Sequence, residues 1–259
     1  MEALAEIFRL ADLYLVTVAG VFARVAAALF LVPGLGERGI PLRVRLGAAL
    51  AITFLLAPLV RPLLPGAPSD LPGLAAMLGA EAMAGLAIGL GFRLIVFVLQ
   101  LAGTTAAFHL SISHIFGSPV GAAPEPTLAT FLALGGIVIA MAAGLHVELV
   151  AAFARLYEVL PFGRFPDPGA LAELSVARTA EVFALGIALA FPFIAISFAY
   201  NLALGALSRA MPQLLVALIG VPLLIGLGLV TLWLTLPMIY NRWSDAAGAI
   251  FANPLGSLL

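Results

Sequence analysis

Long runs of apolar residues set the strongest constraint on how this chain folds. They cover residues 13–32, 46–60, 71–92, 94–108, 128–145, 182–199 and 214–236. A helix needs about 20 apolar residues to cross a hydrocarbon core roughly 30 Å thick. The pattern therefore predicts an all-α, polytopic integral membrane protein with about five to six hydrophobic helices. The second and fourth runs are too short to cross comfortably and are expected to form short buried or re-entrant helices.

The composition excludes a water-soluble globule. Of the 259 residues, 63% are hydrophobic and 10% are charged, whereas about a quarter of a typical soluble chain is charged. All 12 basic residues are arginines and no cysteine occurs, which excludes a Schiff-base lysine, a disulfide and a thiolate metal site. A net charge of −1 gives no indication of nucleic-acid binding. We therefore expect membrane lipid or a membrane-embedded assembly around the chain.

Prolines and glycines separate the apolar runs. Residues 160–170 contain three prolines and two glycines, which together forbid a continuous helix. This break predicts a boundary between two parts, residues 1–160 and 161–259. Pro192 and Pro222 lie inside later runs and are expected to bend their helices.

The distribution of arginines leaves the membrane topology open. The positive-inside rule places the loop with Arg38, Arg43 and Arg45 in the cytoplasm. If one of the two short runs does not cross the membrane, however, the arginines of the later loop 146–181 fall on the outside. Either the number of crossings keeps both loops on one side, or the chain does not sit in the bilayer conventionally.

Two charged residues lie near the centres of apolar runs. Arg24 is in the first run and Glu81 in the third, where a charge costs about 2.5–3.5 kcal/mol on insertion scales. One hypothesis is that the guanidinium of Arg24 binds the carboxylate of Glu81 with two hydrogen bonds. A second is that each of the two residues faces another subunit of the same assembly. The alternatives are that Arg24 snorkels to an interface and that Glu81 is protonated and hydrogen-bonded. Gly85 and Gly89 form a GxxxG pattern that permits close helix packing, although chance produces such matches among 26 glycines.

No motif in the sequence indicates an enzyme. Residues 34–39 match GxGxxG, but Pro33 and Pro41 prevent the strand, turn and helix that phosphate binding requires. His109 and His114 are five residues apart, about 140° around a helix, so they would not share one face as metal ligands, and His146 lies in a distant segment. We therefore predict no catalytic residue, no metal and no cofactor.

A secondary transporter is the alternative to a structural role. Buried charges such as Arg24 and Glu81, beside proline-broken helices, are typical of ion-coupled sites. The chain has no internal sequence repeat, which counts against this class.

Two long stretches carry residues in a recognisable arrangement. Residues 22–52 contain Arg24, Pro33, Pro41 and Arg45, and residues 201–229 contain Asn201, Gly205, Arg209, Pro212 and Gln213. In this arrangement the chain resembles the family of the flagellar biosynthetic protein FliR and its injectisome relatives. Residues 85–92 and 146–163 are also similar, so the resemblance covers nearly the whole chain in order.

The resemblance implies a structural, non-enzymatic role in the bacterial type III export gate, at the inner membrane and the flagellar basal body. Partners would be small membrane proteins of the P and Q types, larger A-type and B-type export subunits, and the unfolded flagellar proteins that pass through the channel. It further implies a P-like part in residues 1–160, a Q-like hairpin in residues 161–259, and a helical cone partly raised out of the bilayer. It does not separate flagellar from virulence-type export.

The resemblance also places a pore-plugging loop at residues 108–121. Apolar side chains would seal the pore, and the following glycines and proline would allow a substrate to displace the loop; the sealing residues are Phe108, Leu110, Ile112, Ile115 and Phe116. An ordinary amphipathic loop packed on neighbouring helices is the alternative. Thr104 and Phe108 stand where the family usually has a glutamate and a glutamine, so contacts of those polar groups are not expected here.

The second motif supplies a polar stretch near the C-terminal hairpin. The resemblance implies that four residues of this stretch contact neighbouring subunits, namely Asn201, Arg209, Pro212 and Gln213. Arg209 and Gln213 are four residues apart and share a helix face unless Pro212 breaks the turn. Capping of a helix end within the chain is the alternative.

Overall fold

The computed structural model describes residues 2–37, 39–61, 68, 70–110, 127–210 and 216–252. Its regular elements are seven α-helices, namely α1 (Glu2–Leu29), α2 (Leu42–Val60), α3 (Leu71–Leu110), α4 (Thr127–Ala142), α5 (Leu145–Val159), α6 (Pro168–Ala210) and α7 (Val216–Ala252). Five helices are long and apolar enough to cross a membrane, and a sixth crossing results if α4 and α5 form one broken span. The predicted all-α membrane class and number of hydrophobic helices are confirmed.

Three helices are much longer than a bilayer requires. α3, α6 and α7 contain 40, 43 and 37 residues, which correspond to roughly 60, 65 and 55 Å at a rise of 1.5 Å per residue. A hydrocarbon core is only about 30 Å thick. These helices must therefore tilt strongly or extend beyond the hydrocarbon region.

The two short apolar runs differ from their expected form. The run 94–108 is no separate helix, because α3 continues from Leu71 to Leu110 through Arg93; arginine interrupts an apolar pattern but is a good helix former. The run 46–60 belongs to the 19-residue α2, whose first turn includes Arg43 and Arg45. Neither run forms a short helix of its own, because a polar residue ends an apolar run without ending its helix. The short helices of the fold are instead α4 and α5, with 16 and 15 residues.

The proline- and glycine-rich segment breaks the chain where the sequence predicts it. α5 ends at Val159 and α6 begins at Pro168, and proline is well suited to the first position of a helix. Between them, Gly163 has a φ of 75°, a left-handed conformation that favours glycine.

The chain divides by its contacts into two compact units. Unit 1 consists of 1–94, 141–178 and 248–259, and unit 2 of 95–140 and 179–247. These units do not follow the boundary at residue 160, since residues 141–178 belong to one unit. The predicted P-like and Q-like parts concern resemblance to other proteins and stay a prediction.

Each unit has its own buried centre. In unit 1 the fully buried apolar residues include Val25, Leu56 and Phe153. In unit 2 the buried Trp243 donates a hydrogen bond of 2.8 Å from Nε1 to the carbonyl oxygen of Ile95. Gly136 packs against Trp243, with 3.3 Å between a Cβ built on this glycine and the indole.

Candidate functional site: a buried ion pair

A buried ion pair connects α1 and α3 within unit 1. Arg24 and Glu81 are both 0% exposed. Nε of Arg24 donates to Oε2 of Glu81 at 2.8 Å, and Nη2 donates to Oε1 at 3.1 Å. This is the bidentate geometry in which an arginine binds a carboxylate most strongly. The structure thus brings together the two charges that the sequence places in separate apolar runs.

The connection between α5 and α6 completes this cluster. Nη2 of Arg24 also donates to the carbonyl oxygen of Leu160 at 2.9 Å, and the backbone N–H of Gly163 donates to Oε1 of Glu81 at 2.7 Å. The guanidinium carbon lies 3.8 Å from the centre of the Tyr157 ring, a cation–π contact. The ion pair therefore connects three segments that are distant in sequence, namely α1, α3 and the connection between α5 and α6. We call Arg24, Tyr157, Leu160, Gly163 and Glu81 the Arg24–Glu81 cluster.

The environment of the pair determines its energetic role. Removing one partner of a buried ion pair costs about 3–5 kcal/mol, because the other charge stays buried without compensation. The carboxylate of Glu81 accepts three hydrogen bonds, while Nη1 of Arg24 makes none within the described residues. The exposed pair of Arg155 and Glu148 is different, since both side chains are 53% exposed and such pairs contribute about 0–1 kcal/mol.

Glycines let α1 and α3 approach closely beside the ion pair. Any side chain on Gly85 would overlap the backbone carbonyl of Arg24, and a Cβ on Gly89 would lie 2.6 Å from the carbonyl oxygen of Ala28. Glu81, Gly85 and Gly89 are spaced by four residues and so lie on one face of α3. The GxxxG pattern, which the sequence could not separate from chance, thus marks the crossing of α1 and α3.

The predicted plug residues lie only partly within the described chain. Phe108 is exposed and Leu110 fully buried in the last turn of α3. The side chain of Leu110 packs on Gly228 of α7, where a Cβ would lie 2.6 Å from Leu110 Cδ1. Ile112, Ile115 and Phe116 lie outside the described residues, so the plug stays a prediction.

The predicted interface residues divide in the same way. Asn201 and Arg209 are exposed on α6, whereas Pro212 and Gln213 lie outside the described residues. Nδ2 of Asn201 donates to the carbonyl oxygen of Ser197 at 2.8 Å, and the Ser197 hydroxyl donates to the carbonyl oxygen of His109 at 2.8 Å. Subunit contact by this stretch stays a prediction.

Sequence reasoning missed several residues that the structure brings into these sites. Tyr157, Leu160 and Gly163 belong to residues 146–163, a segment that resembles the FliR family. This similarity was the only feature of the sequence that could have drawn attention to them. No feature of the sequence pointed to Ser197, because its hydroxyl donates a hydrogen bond to a backbone carbonyl at the end of another helix. Over the residues whose side chains are described, no group of three histidine, aspartate or glutamate side chains is arranged to hold a metal ion.

The fold and its buried charge cluster define a polytopic, all-α membrane protein, and comparison with known proteins identifies its family. Residues 15–250 match the model of "Bacterial export proteins, family 1". The chain belongs to this family, which confirms the resemblance seen in the two motifs.

Individual relatives are similar over most of their length. The flagellar biosynthetic protein FliR of Caulobacter vibrioides is 37% identical over 226 residues, which cover 87% of this chain and 90% of that protein. FliR of Escherichia coli is 30% identical over 83% of this chain and 82% of that protein. FliR of Aquifex aeolicus is 27% identical over 90% of each chain.

Proposed function

We propose that this chain is a structural component of the flagellar type III export apparatus and forms part of the channel through which unfolded flagellar proteins leave the cell. The observation that carries this proposal is the match to flagellar biosynthetic proteins over nearly the whole chain. Its location would be the inner membrane at the flagellar basal body. Its role there would be non-enzymatic.

The helix lengths support a place within an assembly. α3, α6 and α7 are each about twice as long as a hydrocarbon core is thick. Large apolar side chains are nevertheless exposed along α6 and α7, among them Phe191, Phe198 and Trp233. Where such faces extend beyond the bilayer, only other subunits can cover them.

The Arg24–Glu81 cluster supports a structural role over a transporter site. A coupling ion or substrate needs a polar group that is free to bind it. Both carboxylate oxygens of Glu81 already accept hydrogen bonds from Arg24, and Oε1 also accepts one from Gly163. The pair is therefore suited to holding the N-terminal part in the shape that its partners bind.

Purification from the native membrane tests this proposal. A tagged full-length chain, extracted in mild detergent, is expected to carry with it small membrane proteins of the P and Q types, and with gentler extraction the larger A-type and B-type subunits. Mass spectrometry of the purified sample identifies them. A clean monomer or homodimer, under conditions that preserve other membrane complexes, would contradict the proposal and favour a transporter.

Deletion of the predicted plug should open the pore. Removing residues 111–121 leaves α3 with its buried Leu110 intact and takes away Ile112, Ile115 and Phe116, three of the five apolar side chains proposed to seal the channel. We expect an ion conductance well above background in membranes that contain the assembled complex. The control replaces Ser111 and Ser113 by alanine, which keeps every apolar residue, and should stay closed. Background conductance from a correctly assembled deletion variant would show that the loop 111–121 does not seal the pore.

A further inference from the structure

An apolar groove runs between α1 and α2 within unit 1. Its volume is about 210 Å³. It is lined by seven apolar residues and one arginine, namely Phe22, Ala26, Leu29, Phe30, Leu42, Leu46, Ala49 and Arg45. Both helices are long and apolar enough to cross a membrane, so in that setting the groove is accessible to lipid.

The charged end of the groove is positive. Arg45 lines it, with its guanidinium carbon 5.5 Å from the centre of the Phe30 ring, and donates a hydrogen bond to the backbone carbonyl of Glu37. The carboxylate of Glu37 is bound instead by Arg93, at 2.5 Å. Within the described part of the chain, no carboxylate pairs with Arg45 or with the exposed Arg43. Arg45 thus lines the apolar groove without an acidic partner among the described residues, and the exposed Arg43 lies in the same turn of α2.

We infer that this groove binds an anionic phospholipid, with an acyl chain between α1 and α2 and the phosphate at Arg45 and Arg43. Basic pockets between transmembrane helices bind anionic head groups, because the guanidinium matches a phosphate bidentately. The apolar lining with one arginine at its end matches a molecule that carries both an acyl chain and a phosphate.

Photocrosslinking tests this inference on the full-length chain, purified with the partners it retains. The complex is reconstituted into phosphatidylcholine vesicles that contain phosphatidylglycerol with a photoactivatable group on one acyl chain. We expect crosslinks in peptides 22–30 and 42–49, several-fold stronger than with photoactivatable phosphatidylcholine. Arg45→Gln should weaken these crosslinks about fivefold, the effect of one arginine near an anionic surface.

Matched variants separate a specific site from general contact with lipid. Arg61→Gln removes an exposed arginine at the other end of α2 and should leave the crosslinks unchanged. Ala49→Phe fills the groove and should abolish them, whereas Ala51→Phe, on the exposed side of α2, should not. Equal labelling by the two lipids would overturn the inference, as would an absence of groove crosslinks in the assembled complex. The second result would indicate that a partner protein covers the groove.

Discussion

Arg24→Leu is expected to lower the free energy of unfolding by about 3–5 kcal/mol, because the substitution leaves the carboxylate of Glu81 buried with one remaining donor, Gly163. The effect should appear as early unfolding in mixed micelles and as little assembled protein in the membrane. Equilibrium unfolding of the purified complex, with and without the substitution, measures it.

Arg155→Leu is the matched control for this prediction. It also removes an arginine from an ion pair, but that pair is exposed and should contribute at most about 1 kcal/mol. The double variant Arg24→Leu/Glu81→Leu completes a cycle that isolates the pair, and we expect it to be less damaging than the sum of its single substitutions. If Arg24→Leu is as mild as Arg155→Leu, the pair does not hold unit 1 together.

The sequence suggests a different test, exchange of the two charges, and the structure explains why that exchange cannot fully restore stability. Arg24 donates to the carbonyl oxygen of Leu160, and Glu81 accepts from the backbone N–H of Gly163. After the exchange, a carboxylate would face the carbonyl oxygen and a guanidinium would face the N–H. Both backbone groups would then lack a partner, each at a cost of about 1–3 kcal/mol. Failure of the exchange would therefore not disprove the ion pair.

The comparison of these two tests shows which parts of the Arg24–Glu81 cluster can be predicted from the sequence. The all-α class and the need of Arg24 and Glu81 for polar partners follow from simple solvation, because apolar length and buried charge are visible in the residues themselves. The backbone partners at Leu160 and Gly163 are not visible, since every residue carries the same carbonyl and N–H groups. For the same reason the role of Ser197 at the end of α3 could be seen only in three dimensions.

Helix boundaries can be predicted where prolines and glycines constrain the backbone. They cannot be predicted where only the polarity of the side chains changes. The break between α5 and α6 follows from prolines and glycines, which act on the backbone directly. The continuity of α3 through Arg93 is not visible in the hydropathy pattern. Hydropathy shows which residues can face lipid, but it does not show where the backbone hydrogen bonds of a helix end. The resulting 40-residue helix is one of the features that favour an assembly over a simple bundle.

Gly85→Leu should be about as destabilising as loss of the ion pair, at about 3 kcal/mol or more. Leucine favours a helix more than glycine does, by roughly 1 kcal/mol, so α3 itself gains from the change. The side chain would, however, overlap the backbone carbonyl of Arg24, and a backbone atom cannot move away without moving α1. Separation of α1 from α3 would also pull Arg24 away from Glu81, so the packing and electrostatic losses would occur together.

Gly47→Leu provides the same substitution without the clash. Gly47 lies on the exposed side of α2, and a Cβ built there has no neighbour within 4 Å. We expect this variant to be unchanged or more stable by up to about 1 kcal/mol. Equilibrium unfolding in mixed micelles compares the two variants directly. Similar stabilities would mean that α1 and α3 do not cross at Gly85, whereas a large loss confined to Gly85→Leu would tie the buried charges to the close approach of these two helices.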